Sequence, residues 1–505
     1  MRGFNTLLFV LFALSANAAD GTLGTVSVQK GNNVSVNGEA PLSLTLDGKE
    51  HQSCQFLSKR APDESHEFTW KEVTTTRGGE LAEILGDQLR SVDSLVVKGN
   101  VNDKDFHAMW DASLYGYLSV INLKNAVLEN NAVPDTAFFH ENEQYEGSSH
   151  EIFYYIGLRK IILPEGLEKI GEGAFYQASA LRQVNFPSTL RYIGDFAFNA
   201  TKLEMNQLVI PEGVEEINQY AFAFCRKLKA QVTLPSTIKK IGEWAFYGCP
   251  ITSINLPEGL ESLGSLAFWD CDLREVSIPS SCHEFNEGWQ FGFNRNLEKM
   301  HLPEGMTEIP DHFAVDCFRL REVNFPHTLK HIGEKAFSLC ISLKNVDLPL
   351  GMQSLGEEAF SELEALEQIV FPASMKSLGK NSCSYWKNIK RIYCAAMEPP
   401  VCDPTDGGVF SGFDFPDGLN TPVVYVPKGT INKYKDTSRN CMGWEKFWNY
   451  VEIDPSEFPT TAIDSPAIVE TLSKDNSVYD LMGRKVERPQ KGNIYIQNGK
   501  KFVAK

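Results

Sequence analysis

Cysteine and histidine are the residue types in this chain that could hold a metal or attack a substrate. The 505 residues include eleven cysteines and ten histidines, yet no CxxC or HExxH motif gives them the spacing of a zinc site. The sequence also lacks a G-x-S-x-G motif, a paired-carboxylate motif and a phosphate-binding glycine loop. Asp311-His312, His327 and His331 fall on adjacent copies of a sequence repeat and could share a surface patch. We therefore predict that the protein is not an enzyme, with no catalytic residue, no metal and no cofactor.

Five of the eleven cysteines follow the repeat. They stand three residues after the repeat's phenylalanine, or after the alanine that replaces it in one copy: Cys225, Cys249, Cys271, Cys317 and Cys340. Ala178 and Leu363 fill the same position in other copies, which predicts a small, buried apolar site. Beyond the repeats, Cys394 and Cys402 are a more plausible disulfide pair, but the disulfide state of Cys394, Cys402 and Cys441 stays open.

The repeat itself is the strongest signal in the sequence. Ten prolines recur at intervals of 22 to 24 residues: Pro164, Pro187, Pro211, Pro235, Pro257, Pro279, Pro303, Pro326, Pro349 and Pro372. Such a period means that one small unit is stacked along the chain. The residues one and three positions before each proline are apolar, as at Val184 and Phe186, and those between are mostly polar. This alternation predicts a short strand with one buried face, which ends at the proline because proline has no N–H to donate.

The second half of each repeat predicts a bend and a shared core. Apolar residues stand three and six positions after the proline, and Gly or Asn follows in eight copies, as at Gly242 and Asn218. Because both residues tolerate positive φ, we expect a tight bend there. An Ala-Phe pair such as Ala245-Phe246 then allows close backbone approach and fills the interior, so that stacked coils form one core. Three copies lack the pair and have Trp289-Gln290, Phe313-Ala314 and Ser382-Cys383 in its place.

The N-terminus has the features of a secretory signal peptide. Arg2 precedes an apolar stretch at 7–14, and Ala16-Asn17-Ala18 is an A-x-A cleavage site, so the mature chain is expected to begin at Ala19. The apolar stretch is too short for a permanent membrane helix, and no other segment reaches the length of one. The net charge of −17 argues against nucleic acid and anionic lipid as partners. We expect an exported protein without a transmembrane helix.

The repeat resembles a known family. VNFPSTLRYIGDFAF (184–198) and INLPEGLESLGSLAFWDC (254–271) carry the pattern x-V-x-F-P-x-x-L-x-x-I-G-x-x-A-F-x-x-C, which resembles the BspA-type leucine-rich repeat. The resemblance implies a β-rich, right-handed, curved solenoid of short strands, turns and short helical segments. It also implies an N-terminal cap, for which Leu81, Ile84, Leu85 and Leu89 have helical spacing, and atypical first coils at 95–126. Residues 423–453 are similar to the segment that closes such proteins.

The C-terminus carries a second resemblance. SVYDLMGRKVERPQKGNIYIQNGKKFVAK (477–505) is similar to the C-terminal tail domains of surface and secreted proteins of Bacteroidota-type bacteria, which often act as sorting signals. Asn493 is inserted here between Gly492 and Ile494, and a plain small β-appendage is the other interpretation. The predicted division is a signal peptide (1–18), an N-terminal region with a helical cap (19–94), the solenoid (95–395), a C-terminal capping segment (396–455), a linker (456–476) and the tail (477–505).

Two sets of surface residues are candidates for binding. Aromatic residues occupy two neighbouring repeat positions: Phe196, Tyr220 and Trp244, two residues before the phenylalanine, and Tyr176, Tyr247 and Trp269, one residue after it. Other copies have Gly173, Lys335 or Glu358 at the first position, so the repeat does not require an aromatic ring there. Two interpretations stay open, a ligand-binding patch and packing between coils.

The second set is a ladder of uncharged polar residues on the predicted sheet face: Gln183, Gln207, Gln231, Asn255, Asn324 and Asn345. Such a ladder suits contact with a protein or a glycan, and any solvated strand face would also have one. The leading hypothesis is an exported cell-surface or secreted adhesion protein, because the family resemblance implies binding to host matrix proteins, mucosal proteins or other bacteria. A glycan-binding surface protein for nutrient capture is the alternative.

Overall fold

The computed structural model describes residues 66–139, 156–403, 408–412, 422–436 and 443–459 in full, and the backbone of seven further strands nearer the termini. The chain divides into two compact units. Unit 1 comprises Met1–Thr189, Phe196–Glu204 and Cys225–Lys227; unit 2 comprises Leu190–Asp195, Met205–Phe224 and Leu228–Lys505. The predicted signal peptide, the linker from residue 460 onward and Cys441 lie outside the described residues.

Both units contain turns of a parallel β-solenoid with little helix, about 15 turns in all, which confirms the predicted fold class. A typical turn contains a short strand before the proline, a second short strand after it, and a tight turn that carries the core phenylalanine. We call the two strand stacks the pre-proline sheet and the post-proline sheet.

Unit 1 contains eleven strands among the described residues. They are β1 (Gly24–Gln29), β2 (Asn33–Gly38), β3 (Leu44–Leu46), β4 (Lys49–His51), β5 (Trp70–Thr75), β6 (Ser94–Val101), β7 (Val120–Leu128), β8 (Ala132–Val133), β9 (Lys160–Ile162), β10 (Lys169–Ile170) and β11 (Gln183–Val184). The order β11-β9-β7-β6-β5 forms its pre-proline sheet, β8 pairs in parallel with β10, and β1 to β4 form a separate sheet of order β2-β1-β3-β4. The parallel stack therefore begins at Trp70, inside the segment predicted as the N-terminal region.

Two helices accompany these strands, α1 (Leu81–Leu85), which continues as a 3₁₀ turn over Gly86–Arg90, and α2 (Asp103–Tyr115). A second 3₁₀ turn covers Glu129–Asn131. The helix α2 begins with a capping box, in which the side chain of Asn102 accepts from the N–H of Lys104 and Asp105 accepts from the N–H of Asn102 at 2.9 Å. The buried Asp105 also accepts from the N–H of Leu81 at 2.9 Å, so one carboxylate holds the starts of both helices together.

Unit 2 contains the remaining strands. They are β12 (Tyr192–Ile193), β13 (Gln207–Val209), β14 (Glu216–Ile217), β15 (Gln231–Thr233), β16 (Lys240–Ile241), β17 (Ser253–Asn255), β18 (Ser262–Leu263), β19 (Glu275–Ser277), β20 (Glu284–Phe285), β21 (Lys299–His301), β22 (Glu308–Ile309), β23 (Glu322–Asn324), β24 (His331–Ile332), β25 (Ser354–Leu355), β26 (Gln368–Phe371), β27 (Ser377–Leu378), β28 (Arg391–Cys394), β29 (Val401–Cys402), β30 (Val423–Pro427), β31 (Tyr450–Ile453), β32 (Val478–Asp480), β33 (Ile494–Gln497) and β34 (Lys500–Val503). The helix α3 (Ile431–Tyr434) and 3₁₀ turns at Trp444–Lys446 and Pro455–Glu457 complete it.

The two sheets of unit 2 are parallel and in register along the repeat. The pre-proline sheet has the segments β13-β15-β17, β19-β21-β23 and β26-β28-β30-β31. The post-proline sheet pairs β12, β14, β16, β18 and β20 in that order and then β22, β24, β25, β27 and β29. The last three strands form an antiparallel sheet of order β32-β33-β34 in the segment predicted as the sorting tail.

Stacked phenylalanine rings fill the interior of the coils, as the repeat predicts. In unit 2 the rings of Phe246 and Phe268 are 5.6 Å apart and nearly parallel, and both are fully buried. The next ring in the stack is Phe291, 5.5 Å from Phe268, so the core phenylalanine of this coil is not replaced by Trp289-Gln290 as the proline alignment indicates. One extra residue precedes it, and Gly288 at φ 80° accommodates the insertion. The ring of Phe313, at the position of the usual alanine, packs edge-on against Phe291 at 5.4 Å.

The bend glycine does not have the positive φ that the sequence predicts. The bend glycines Gly242 and Gly264 do not have positive φ, which occurs instead two residues later, at Trp244 and Leu266. A Cβ on Gly264 would lie 2.4 Å from the backbone nitrogen of Glu243, and one on Gly242 would lie 2.8 Å from the carbonyl carbon of Asn218. Glycine is needed here because successive coils approach each other closely, so the expectation of a left-handed bend at this position was wrong.

Successive coils also alternate in the two residues that follow the proline, which a consensus of all coils does not show. After the first eight prolines, the two following residues are Glu-Gly in one coil and two hydroxyl residues, or His-Thr, in the next; Leu350-Gly351 and Ala373-Ser374 follow the last two. In the coil pair at 212–237, Glu212 accepts from the N–H and the hydroxyl of Ser236 at 3.1 and 3.0 Å, and Thr237 accepts from the N–H of Gly213 at 2.9 Å. Three further coil pairs repeat this clasp: 165–189, 258–281 and 304–328.

Candidate functional site

The candidate site is built on a backbone position with a left-handed conformation. We call the position two residues before the core phenylalanine, or before the residue that replaces it, the outer-turn position. In every coil of the repeat φ is positive there, whatever the side chain. Values of φ between 51° and 66° are found at Gly173, Phe196, Tyr220, Trp244, Leu266, Trp289, His312, Lys335, Glu358 and Asn381. A second left-handed residue follows the phenylalanine by two positions, as at Phe224 and Phe293. Bulky side chains are uncommon at positive φ, so aromatic rings at these positions are held against a backbone preference.

In unit 1, three aromatic side chains meet beside the core. The ring of Tyr176 packs edge-on against Phe139 at 4.8 Å and against Phe196 at 5.9 Å. Tyr176 and Phe196 are half-buried. The two predicted site residues of this unit are therefore in contact with each other.

In unit 2, a first cluster contains Tyr220, Phe224, Trp244 and Tyr247. The rings of Tyr220 and Trp244 stack at 5.2 Å with a 15° interplanar angle, and Tyr247 lies 4.2 Å from Trp244 and 5.0 Å from Phe224. Tyr247 is only 3% exposed, so it supports the cluster from beneath and is not placed to contact a ligand. Burial, together with the nearby Glu243, raises the pKa of Tyr220 to about 12.

A second cluster in unit 2 contains Trp269, Trp289, Phe293 and His312. Trp269 lies 5.2 Å from Trp289 and 4.5 Å from Phe293, and Trp289 stacks on His312 at 3.6 Å with a 9° angle. A Cβ on Gly292 would lie 2.1 Å from Cζ3 of Trp269, so glycine at 292 leaves the space that the indole occupies. Sequence reasoning placed only Trp269 in the site, because the one-residue insertion before Phe291 hides the repeat position of Trp289.

The histidines do not form the shared patch that their sequence positions allowed. His312 stacks on Trp289, His327 contacts Glu304 through Nδ1 at 2.9 Å, and His331 Nδ1 lies 2.7 Å from the hydroxyl of Ser354. Burial lowers the pKa of His312, with an opposing effect of Glu334. Among the residues that the structure describes, no group of three His, Cys, Asp or Glu could hold a metal ion.

The polar ladder on the pre-proline sheet is exposed but divides into two rows. Gln207 pairs with Gln231 and Gln231 with Ser253, whereas Asn255 lies in the other row, opposite Thr233. Asn324 is in this second row and hydrogen-bonds in both directions with the backbone of Leu302, at 2.8 and 3.0 Å. Asn255 likewise accepts from the N–H of Leu234 at 3.0 Å. Gln183 and Asn345 stand four residues before their prolines, as the two other glutamines do, whereas Asn255 and Asn324 stand two residues before theirs, so the six residues do not share one repeat position.

The repeat cysteines are buried, as predicted, but their site is not simply apolar. Each thiol donates to a carbonyl of the preceding coil, as Cys249 does to Phe222 at 2.9 Å and Cys271 to Phe246 at 3.3 Å. Other donors take the same position and contact, with Asn294 on Phe268 at 2.7 Å. Trp386 does the same to Phe360 at 2.7 Å, whereas Ala178 and Leu363 have no donor; a hydrogen-bond donor in most copies, and not in all, was therefore the signal in the sequence.

Cys394 and Cys402 do not form the disulfide that the sequence left open. Both are buried and neither is disulfide-bonded, and they lie on β28 and β29, which belong to different sheets. The sulfur of Cys394 is 3.2 Å from the hydroxyl of Tyr434, and burial raises its pKa to about 11. Burial also raises the pKa of Cys317 to about 12. Thiols in this state are protonated at neutral pH and are poor nucleophiles and poor metal ligands.

Comparison with known proteins identifies the repeat. Residues 148–231, 230–337 and 312–397 match the model of the BspA type leucine rich repeat region, in six copies. No curated protein matches the sequence. Within the described part of the chain, no helix has the length and apolar character that crossing a membrane requires.

Several solved structures are similar to the chain. A leucine-rich repeat protein from Bacteroides ovatus is 21% identical, with 74% of this chain and 93% of that chain covered and a TM-score of 0.44. A leucine rich cell surface protein from Faecalibacterium prausnitzii is 21% identical over 52% and 83% of the two chains, with a TM-score of 0.31. The pneumococcal vaccine antigen PcpA is 16% identical over 86% and 99%, with a TM-score of 0.32. Identities this low concern the fold alone.

Proposed function

Because this chain is a BspA-type leucine-rich repeat protein, matched over residues 148–397, we propose that it is an exported, non-catalytic recognition protein of the bacterial surface. Its partner is an extracellular protein of a host, in the matrix or the mucosa, or of another bacterium. The signal peptide predicted at 1–18 and the sorting-like tail at 477–505 support export and surface attachment.

The observation that carries the proposal is the aromatic site at the outer-turn position of consecutive coils. The backbone there accepts Lys335, Glu358 and Asn381 in other coils, so folding does not require Tyr220, Trp244 or Trp289. Large rings kept on a strained backbone and left half-exposed are typical of binding surfaces, where tryptophan and tyrosine are enriched.

The geometry of the rings favours a protein over a glycan. Sugar rings stack on the open face of an aromatic side chain, but a stacked neighbour covers one face of several rings in this site. Trp244 is stacked on Tyr220, and Trp289 on His312 at 3.6 Å, so fewer open faces and more ring edges are left for a partner. Ring edges carry partial positive charge and accept the faces of other aromatic side chains or carbonyl oxygens, which protein surfaces supply. Glycan capture therefore has less support from this site than protein recognition.

The test is binding of the full chain to a panel of purified matrix proteins and mucins, with deglycosylated mucins and a glycan array run in parallel. The double variant Trp244→Ala/Trp269→Ala should lose binding at least tenfold, since truncating a hot-spot aromatic typically removes 2 kcal/mol or more, roughly, of binding free energy. The matched control is Lys335→Ala/Glu358→Ala, which truncates the outer-turn position of two later coils and should bind as the unmodified chain does.

Thermal unfolding of the same variants separates binding from folding. The proposal requires a folded double variant whose circular dichroism matches that of the unmodified chain. Binding that survives the loss of both rings, or binding to glycans alone, would contradict the proposal and favour an inter-coil packing role or the glycan alternative.

A further inference from the structure

The outer face of the pre-proline sheet becomes apolar in its last four strands. One column of register partners crosses it, with Val370 on β26 opposite Tyr393 on β28, then Tyr425 on β30 and Val451 on β31. We call these four residues the apolar row. In β26, β28 and β30 the row residue stands between two buried residues, so its side chain is on the outer face. The rings of Tyr393 and Tyr425 stack at 4.4 Å, so the two middle residues of the row are in contact.

The matching position is polar in most earlier coils of unit 2. The residues there include Thr233, Asn255, Ser277, His301 and Asn324. Val209 on β13 is an isolated apolar exception and is 53% exposed. Single apolar residues are common on a solvated face, whereas a contiguous apolar strip marks a surface that another group covers. The apolar row is therefore a candidate docking surface.

The chain itself covers part of this surface. After β31, a 3₁₀ turn over Pro455–Glu457, which begins with a capping box at Asp454, leads the chain back over the sheet. Phe458 then packs against Ala395 and lies edge-on to Tyr393, with 6.4 Å between the ring centres. Only 7% of Phe458 is exposed. The first residues of the segment that the sequence predicts as a linker are thus packed on the sheet.

The rest of the row is less covered, since Tyr425 is half-buried and Val451 is 36% exposed. The residues that the structure describes in full end at Pro459, next to Phe458, and residues 460–477 precede β32. Fully extended, those residues reach up to about 60 Å, whereas the row spans about 14 Å over four strands. Their apolar side chains are those of Ala462, Ile463, Ala467, Ile468, Val469 and Leu472.

We propose that residues 462–469 of the same chain dock on the apolar row, with Ile468 and Val469 as the anchoring side chains. Attachment at Phe458 favours this occupant over a separate molecule, because a short connection holds the segment at a high effective concentration beside the row. Docking also continues the contact with the outer face that Phe458 begins. The inference does not depend on what the solenoid binds, and it makes the connection to the tail at 477–505 a docked segment.

The experiment measures how fast glutamyl endopeptidase cleaves after Glu470 in the full chain, because cleavage requires the residues around this bond to leave the row. Mass spectrometry follows the release of residues 471–505, and a synthetic peptide of residues 460–477 gives the cleavage rate without docking. Such cleavage reports the population of the undocked state.

Two double variants break the contact from opposite sides: Tyr425→Ser/Val451→Ser changes the row, and Ile468→Ser/Val469→Ser changes the segment. The matched control is Val209→Ser, which removes an exposed apolar side chain at the matching position of an earlier coil. Circular dichroism first verifies that every variant is folded. Val451→Ser alone replaces the row variant if the double change prevents folding.

We expect cleavage of the unmodified chain to be slower than that of the peptide by about tenfold or more, because burial of two aliphatic side chains stabilises the docked state. Each double variant should be cleaved about as fast as the peptide, and combining the two should add nothing, since both break the same contact. Val209→Ser should leave the rate unchanged. Equal rates for chain and peptide, or an effect of only one double variant, overturn the proposal. Protection that grows with protein concentration also overturns it and assigns the row to a second copy of the chain.

Discussion

Replacing Trp244 by glycine should destabilise the protein less than replacing it by alanine, which is the reverse of the usual order. Both variants lose the same indole and its contacts with Tyr220 and Tyr247, so their difference isolates the backbone. Residue 244 has φ 57°, where a Cβ costs roughly 1–2 kcal/mol. Glycine avoids this cost, but its greater conformational freedom in the unfolded chain lowers the stability of the glycine variant by about 0.5–1 kcal/mol. Trp244→Gly should therefore be more stable than Trp244→Ala by roughly 0.5–1 kcal/mol.

Urea unfolding followed by circular dichroism measures this difference, with the two variants compared in the same transition because repeat proteins need not unfold in one step. The control site is Gln231 on the extended strand β15, where Gln231→Gly should be less stable than Gln231→Ala. Gly173 provides the reverse experiment in unit 1, since its φ is also 57° and Gly173→Ala should destabilise. If Trp244→Ala proves the more stable variant, the outer-turn position is not strained, and strain no longer supports the aromatic site.

Three further predictions follow from the coil geometry. Gly264→Ala should lower the free energy of unfolding by about 1–3 kcal/mol, because its Cβ would meet backbone at 2.4 Å, whereas Gly351→Ala, with 3.8 Å to the nearest atom, should cost far less in the same urea titration. Cys249→Ser should be tolerated better than Cys249→Val in thermal unfolding, since serine keeps a donor for the carbonyl 2.9 Å away; the opposite order would restore the purely apolar interpretation. Burial lowers the pKa of His312, so the unfolded chain binds a proton at this residue more readily than the folded chain. The free energy of unfolding should therefore fall as pH drops through 6.5. Unfolding measured from about pH 8 to 5 should show a smaller pH dependence of this free energy in His312→Gln.

The sequence was sufficient for the architecture because the repeat encodes it redundantly. The apolar residues before the proline recur in all ten copies and the Ala-Phe pair in seven, so single departures do not obscure the pattern. The buried Val232 and Leu234 on either side of the exposed Thr233 illustrate the alternation that predicted the pre-proline strands. Fold class and core could thus be derived from periodicity alone.

Backbone conformation could not be derived from residue type in the same way. Glycine has two uses, positive φ and close approach, and Gly264 serves the second, while Trp244 and Glu358 take the positive φ. The residue types tryptophan and glutamate do not indicate a left-handed conformation. It is imposed by the stacking of turns, in which the N–H of Trp244 donates to the carbonyl of Ser265 in the next coil at 2.9 Å. Tertiary hydrogen bonds here outweigh a local preference of roughly 1–2 kcal/mol.

Sequence reasoning found only part of the candidate site, because an insertion changes the alignment of one coil. Aligning on the prolines found Tyr220 and Trp244, because their coils have the standard length. The insertion at Gly288 moved Trp289 one place out of that alignment, and its partner His312 had been grouped with other histidines by chemistry. Register, which the ring stack from Phe268 to Phe291 fixes, decides which side chains share a column.

The alternation of Glu-Gly and hydroxyl coils shows that the physical unit of the solenoid is a pair of coils. A lone strand-turn unit exposes backbone N–H groups just after its proline, where the sheet hydrogen bonds stop. In the pair at 258–281, Glu258 accepts from Ser280 at 3.1 Å, and the hydroxyl of Ser281 accepts from the N–H of Gly259 at 2.9 Å and donates to Leu260 O at 2.7 Å. These contacts satisfy backbone groups of the first coil with side chains of the second, which no single coil can do. A consensus averaged over all coils merges the two halves of the clasp, and the glycine and hydroxyl positions then look variable although each is determined by its neighbour.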